Sequence, residues 1–328
     1  LTYPCGVAAN EMSRPPVRVL SFNVRYDTDG DGRDAWSNRR EAVVGLLRYH
    51  RPDVVCLQEP LPHQFEAIRA GLDGHGWFGP DRVSGTAVSS AAVDGSREVE
   101  AAGEFVPVGY DRERFERVDA GAFWLSETPD VPGSVGWDAD YPRVVSRVTL
   151  RERATGDRVH VASVHLDHGG ETARAEGASL LRRRLGELDG PLVVAGDFNC
   201  GPDSTPYRRM VADRGADAGA DTDRADDGAP TLLDAREAAT RGHHGPEETF
   251  HGFTGEPTER IDHVFVRDCD VSQTATLADR RAEGTVEGGE NEIEARERAC
   301  GRYPSDHFPI VADVRPRRRS GGDAGSVP

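Results

Sequence analysis

The chain has 328 residues, enough for one large domain or two ordinary ones. Its formal charge is -17 and all 40 of its basic residues are Arg, a Lys-free acidic surface that fits solubility in molar salt and suggests a halophilic archaeon. No run approaches the ~18–20 apolar residues that a membrane span needs, and the acidity disfavours partners recognised by phosphate neutralisation.

Residues 1–16 read as an N-terminal extension, with Met12 standing just ahead of the first strand. They lack a charged start followed by an apolar run, so no signal peptide is expected and a cytoplasmic location follows by default. "VRVLSFNV" (17–24) and "DVVCLQE" (53–59) are apolar runs of buried-strand length. Between them Val43, Val44, Leu46 and Leu47 mark one face of a helix, with Ser37 as its expected N-cap. The loop ahead of this helix, "RYDTDGDGRDAWSN" (25–38), alternates Asp27, Asp29 and Asp31 before Gly32, in the manner of a calcium loop. Its twelfth position counted from Asp27 is Asn38, which cannot supply the bidentate carboxylate that closes such a cage. A connector is expected instead, with Asp and Gly serving turn chemistry.

A second helix is expected after Pro62, then strands at "EFVPVGY" (104–110), "RVVSRVTL" (143–150) and "RVHVASVHL" (158–166). "FWLSETPDVPGSVGW" (123–137) is rich in Pro and Gly, and its Trp124 and Trp137 are expected to pack in the core, the alternative being that they line a substrate cleft. "ETARAEGASLLRRRLGEL" (171–188) is helical, and Pro191 opens the strand "PLVVAGDF". "RIDHVFV" (260–266) and "HFPIVADV" (307–314) are the late strands. Early alternation of strand and helix, followed by strand after strand, points to mixed sheets with helices outside, in one α/β domain over 17–315. The acidic stretches 213–230 and 282–301 and the tail 316–328 are too polar to pack. The five Cys form no CxxC pair, so neither a zinc site nor a disulfide framework is expected.

Polar residues recur where these strands end. Asn23, Glu59, His165, Asp197 and Asn199 stand at C-terminal ends, Asp262 lies inside "RIDHVFV", and Asp306 and His307 immediately precede "FPIVADV". Asp197 and Asn199, two apart, would point the same way. A capped turn explains one such residue, whereas amides, carboxylates and imidazoles at so many strand ends are better explained by a single cleft. Oxygen donors of this kind suit Mg2+ or Mn2+, and His with a further Asp suits hydrolysis of a phosphate ester.

The ordered set "SFNVR", "DVVCLQE", "HLDH", "GDFN", "RIDHVFV" and "PSDHFPIVADV" resembles the endonuclease/exonuclease/phosphatase family, from about residue 17 to 315. The resemblance implies a deoxyribonuclease-like four-layer α/β sandwich, two facing mixed β-sheets flanked by helices. It implies that Glu59 holds the divalent metal, that Asn23 orders the metal–phosphate assembly, and that Asp306 assists the metal or the leaving group. Asp197 would align and deprotonate the attacking water, and Asn199 would hydrogen-bond the transition state. His307 would contact the scissile phosphate, with Asp262 fixing its tautomer and raising its pKa. His165 would be the second phosphate-binding imidazole, oriented by Glu104. Arg174 and His168, in "HLDHGGETARAEG", are substrate-binding candidates, matching a bacterial and archaeal subgroup that also shares "FWLSETP" and "YPSDHFP". For Arg174 the alternative is an ion pair on the helix surface.

The expected partner is a phosphate ester, met by a monomer with no membrane contact. A nuclease, abasic-site repair included, is the alternative. It is less favoured because "LRRRL" (181–185) lies mid-helix, "RPRRRS" lies in the tail, and Arg25 stands where abasic-site enzymes carry Asp. A catalytically dead binding module would have lost some of Glu59, Asp197, Asp262 or His307, and all four are present.

Overall fold

The computed structural model describes residues 14–89, 103–211, 231–280 and 302–318. The acidic stretches 213–230 and 282–301 lie outside the described residues, as do residues 1–13 of the extension and the tail beyond residue 318. The chain opens with β1 (Val17–Asn23), a 3-10 segment (Asp29–Asp34), α1 (Trp36–His50), β2 (Val54–Gln58) and α2 (Pro62–Gly71). Then come β3 (His75–Pro80), β4 (Ala87–Ser89), β5 (Val108–Asp111), β6 (Phe115–Trp124), β7 (Val144–Glu152) and β8 (Arg158–His165). α3 (Glu171–Gly186), β9 (Leu192–Asp197), α4 (Thr205–Val211), β10 (Leu233–Asp234) and the one-turn α5 (Ala235–Ala238) follow. β11 (His243–His244), β12 (Asp262–Arg267), β13 (Cys269–Thr276) and β14 (Ile310–Pro316) complete the described elements. None of their helices is long and apolar enough to cross a membrane.

The strands form two mixed sheets, ordered β11-β13-β14-β1-β2-β5-β3-β4 and β10-β12-β9-β8-β7-β6. Alternation along each strand builds the layers. Val17, Val19, Val54 and Cys56 of the first sheet meet Val159, Val161, Val193 and Ala195 of the second in a central core. Leu20 and Phe22, one step out of phase, face outward onto Val43 and Leu47 of α1 and Phe65 and Ile68 of α2. On the far side Val164, Val194 and Phe265 pack on Ala178 and Leu181 of α3 and Tyr207 and Met210 of α4. The result is the four-layer sandwich, helices outside and two sheets within. Trp124 is buried with Val106 and Val144, and Trp137 packs partly buried on the α3 side.

Two details depart from the sequence reading. α1 begins at Trp36 with Ala35 at the cap position, and Ser37 is already helical. The acceptor comes instead from the preceding loop, where Asp27 Oδ1 takes the Trp36 N–H at 3.3 Å. Strands β3, β6 and β13 had no counterpart in the sequence reading. β6 is half exposed along most of its length and β13 is mostly polar, so neither carries a long apolar run.

Gly196 shows why a glycine precedes Asp197. A Cβ there would sit 1.9 Å from the Val164 carbonyl oxygen on the paired strand β8. Backbone cannot yield as a side chain can, so Gly196→Ala is expected to lose more than the ~1–3 kcal/mol typical of overpacking, with a melting temperature many degrees lower or no folded protein recovered.

Candidate active site

Four strand rows that face the central core change character at the same edge. In β1 the row Val17, Val19, Ser21 ends in Asn23; in β8 Val159, Val161, Ser163 ends in His165; in β9 Val193, Ala195 ends in Asp197. β12 runs antiparallel, so its row Val266, Val264 reaches that edge at its first residue, Asp262. The registers align His165 with Asp197 and Asp197 with Asp262. Asp197 is therefore the central acid of three adjacent strands.

The other members arrive by backbone turns. Glu59 follows Gln58 and in a continued strand would face away from it; its φ of 71° swings it into the cleft. Arg25 and Asn199 also follow strands with positive φ, 57° and 49°. Such non-glycine positions cost about 1–3 kcal/mol each and persist only where surroundings over-determine them. Here the surroundings are visible. Gln64 Oε1 accepts from Asp27 N at 2.9 Å and its Nε2 donates to Arg25 O at 2.9 Å. Buried Arg39 donates to the carbonyls of Val24, Arg25 and Asp34 in the connector between β1 and α1 and to that of Pro304 ahead of β14, joining the two loops. Removing that guanidinium leaves several carbonyls unpaired, so Arg39→Ala is expected to destabilise the fold by about 3–5 kcal/mol, read as a lower urea midpoint.

Polar contacts converge on Asp197. Asn23 Nδ2 donates to Glu59 Oε1 at 2.9 Å and to Asp197 Oδ2 at 3.0 Å, bridging the two sheets. Asn23 Oδ1 accepts from Arg25 N at 3.0 Å, which fixes the amide with its nitrogen on the two acids. Glu59 Oε2 accepts from Tyr26 N at 2.9 Å. His165 Nε2 and His307 Nε2 lie 3.5 and 3.8 Å from Asp197 Oδ2. His307 Nδ1 is 2.9 Å from Asp262 Oδ2. Asp197 Oδ1 accepts from Asn199 N at 2.8 Å, and Asn199 Nδ2 donates to Leu166 O. Asp306 lies in the turn before His307, where both line the cleft; its Oδ2 is 3.9 Å from Arg25 Nε. The cleft has a volume of about 600 Å³.

Burial sets the charges. Burial and then the neighbouring Asp262 push Asp197 up to about 7, and burial and then Glu59 push Glu104 up to about 7. Burial also raises Asp306. Burial acts to lower His307, but Asp262, Asp197 and Asp306 outweigh it and lift it to about 10, so its imidazole is protonated at neutral pH. His165, buried beside Arg143 and Arg82, is held well below the usual histidine range and stays neutral.

Two expectations are corrected by the contacts. Glu104 pairs with Arg82 at 2.8 Å, whereas His165 Nδ1 is buried without a partner, so Glu104 does not orient that ring. Arg174, in the first turn of α3, folds back on the carbonyls of Asp167 and His168 at 3.0 and 2.8 Å; among the described residues it neither lines the cleft nor pairs with an acid. The Asp-rich loop is held by protein groups, with Asp31 on Arg25 at 3.0 Å and Asp27 on Trp36 N and His63. His168 does line the cleft. The sequence reading missed Arg82, Arg143 and Tyr141, which line it too. The rule that found the acids also finds the arginines once strand order is known. β7 is antiparallel to β8, so Arg143 at its start lies at the edge where His165 ends β8, and Arg82 follows the end of β3.

A model of the Endonuclease/Exonuclease/phosphatase family matches residues 20–307. The chain belongs to this family. Among solved structures, a family protein from Bacteroides vulgatus is 30% identical with a TM-score of 0.73, covering 93% of this chain and all of that one. The mannosyl-6-phosphatase of Bacteroides thetaiotaomicron is 29% identical with a TM-score of 0.73, covering 91% and 99%. Rat Nocturnin is 24% identical over 61% of this chain, which spans only 47% of that protein's length. The human Nocturnin catalytic domain with bound sulfate shares the fold at 19% identity and a TM-score of 0.58, covering 92% of this chain and 94% of that one.

As a member of the endonuclease/exonuclease/phosphatase family the chain is a metal-dependent hydrolase of phosphoric ester bonds. Its residues fit a divalent cation. Glu59, His165 and Asp197 offer ligand atoms within 4.8 Å of one another, as do Asp197, Asp262 and His307. Asp306 is in neither group, although it lines the same cleft. Carboxylates packed so closely that burial raises Asp197 and Asp306 call for positive charge beyond Arg25 and His307.

Proposed function

We propose that the chain hydrolyses a small, soluble phosphate ester by in-line attack of water, with Mg2+ or Mn2+ as cofactor. The observation that carries this reading is the convergence on one buried oxygen, Asp197 Oδ2, of Asn23, His165 and His307. Glu59 would hold the metal, its carboxylate fixed by Asn23, and Asp306 in the same cleft would assist the metal or the leaving group. When bound, a divalent cation draws charge from the phosphoryl oxygens. Asp197 takes the proton of the attacking water, and the Asn199 backbone N–H keeps its second oxygen in place. His307, protonated and aimed by Asp262, donates to the phosphoryl group as negative charge builds there. Neutral His165 gives the phosphate a second contact.

A small substrate suits the walls. Tyr141, His168, Phe250 and Glu259 are among the residues that line the cleft, and its described arginines, Arg25, Arg82 and Arg143, are gathered at the site itself. The Bacteroides mannosyl-6-phosphatase, similar along nearly the whole chain, supports a phosphomonoester. The Lys-free, acidic composition supports a halophilic source and hence an assay in high salt. Purified protein is expected to release phosphate from small monoesters with Mg2+ or Mn2+, faster than it cleaves plasmid DNA, an abasic oligonucleotide or bis-nitrophenyl phosphate. Faster cleavage of the abasic oligonucleotide would overturn the reading in favour of a nuclease.

A further inference from the structure

Resting on the phosphoesterase reading, the geometry points to a second subsite, for the alcohol half of the ester, built from Tyr141 and His168 and shaped for a sugar ring. The two rings stack with planes 25° apart and centroids 6.1 Å apart. Tyr141 is 49% exposed and the His168 side chain 55%, although both line the cleft that holds Asp197. A half-exposed aromatic pair inside a cleft is a surface awaiting a ligand more often than one scattered on a convex exterior.

The pair is fixed from behind. The Arg82 guanidinium lies 4.9 Å from the Tyr141 ring centroid, and Arg143 Nη2 is 3.1 Å from His168 Nδ1. Arg143 is itself buried and held by Asp167 Oδ2 at 3.1 Å. Asp167 Oδ1 accepts the N–H groups of Gly169 and Gly170, fastening the loop that carries His168. A guanidinium can only donate, so His168 Nδ1 is the acceptor and Nε2 carries the ring proton, 3.7 Å from Asp140 Oδ2.

Asp140, Asp167 and His168 also offer ligand atoms within 4.8 Å of one another. With Asp167 engaged by Arg143 and two backbone N–H groups, and His168 Nδ1 by Arg143, this group is organised to position the imidazole rather than to bind a cation. What remains for a ligand is the exposed half of the two rings, against which the C–H groups of a hexose can pack, with the Asp140 carboxylate nearby to accept from hydroxyls.

The test compares kcat/KM for a hexose 6-phosphate and for ethyl phosphate, with Mg2+ or Mn2+ in high salt. The wild type is expected to prefer the sugar ester, and Tyr141→Ala to shrink that preference about tenfold through the sugar ester's KM, while Tyr141→Phe, which keeps the ring, retains it. Unchanged melting temperatures establish that the half-exposed position has not disturbed the fold. A preference unaltered in Tyr141→Ala would overturn the subsite and leave the phosphoesterase reading standing. A wild type that cleaves neither monoester would overturn both.

Discussion

Asp197→Asn is expected to lower kcat for any phosphate ester by about 10²–10⁴-fold while the protein still folds. The amide is isosteric and can keep the Asn199 backbone bond through its carbonyl oxygen. It cannot accept a proton from water, and it no longer supplies one of the charges that keep His307 protonated. Loss of turnover with KM held within a few-fold marks a group that acts mainly in the transition state. Retention of more than a tenth of wild-type turnover would remove Asp197 from the role of base and shift attention to His165, the only other buried acceptor within 4 Å of it among the described ion-pair contacts.

Saturating Mg2+ or Mn2+ is expected to raise the melting temperature of the wild type, and chelation to reverse the shift and abolish turnover. A ligand at a hundred times its Kd stabilises by about 2.7 kcal/mol, which for a large domain corresponds to a shift on the order of 5 °C. Glu59→Gln should erase most of that shift, because the carboxylate that receives the Asn23 and Tyr26 N–H groups is the one best placed to hold the cation. Scanning calorimetry of both proteins with and without metal provides the measurement. An equal shift in the variant would move the metal to the Asp197, Asp262 and His307 group.

Much of this architecture could be read before any coordinates. β1, β2, β7, β8, β9 and β12 are apolar runs, and the acids and histidines stand out because a polar side chain at the end of such a run has no place in the core. Partners were harder to read. That Glu104 faces Arg82 depends on the loop after β3 lying beside the approach to β5, a relation between elements distant in sequence. Arg143 reads locally as the polar start of an ordinary strand, and only the antiparallel pairing of β7 with β8 brings it to the catalytic edge. The Asp-rich loop was legible as a connector from its own spacing, because Asn38 stands where a calcium loop needs Glu, but the groups that engage it, His63 and the first amide of α1, lie outside the repeat.

Asn23 spans the seam between the sheets, with one carboxylate from each on its single amide nitrogen. That makes it a gauge of how the two halves of the sandwich are seated. Any slip of one sheet across the other, by even a fraction of the bond length, must stretch one of those contacts and alter the spacing between Glu59 and Asp197, the proposed metal ligand and proposed base. Catalytic alignment is therefore answerable to residues far from the chemistry. Trimming Val161 or Val193 in the interlayer would loosen the tolerance to which the two halves are fitted, and turnover should register that looseness before the melting temperature does.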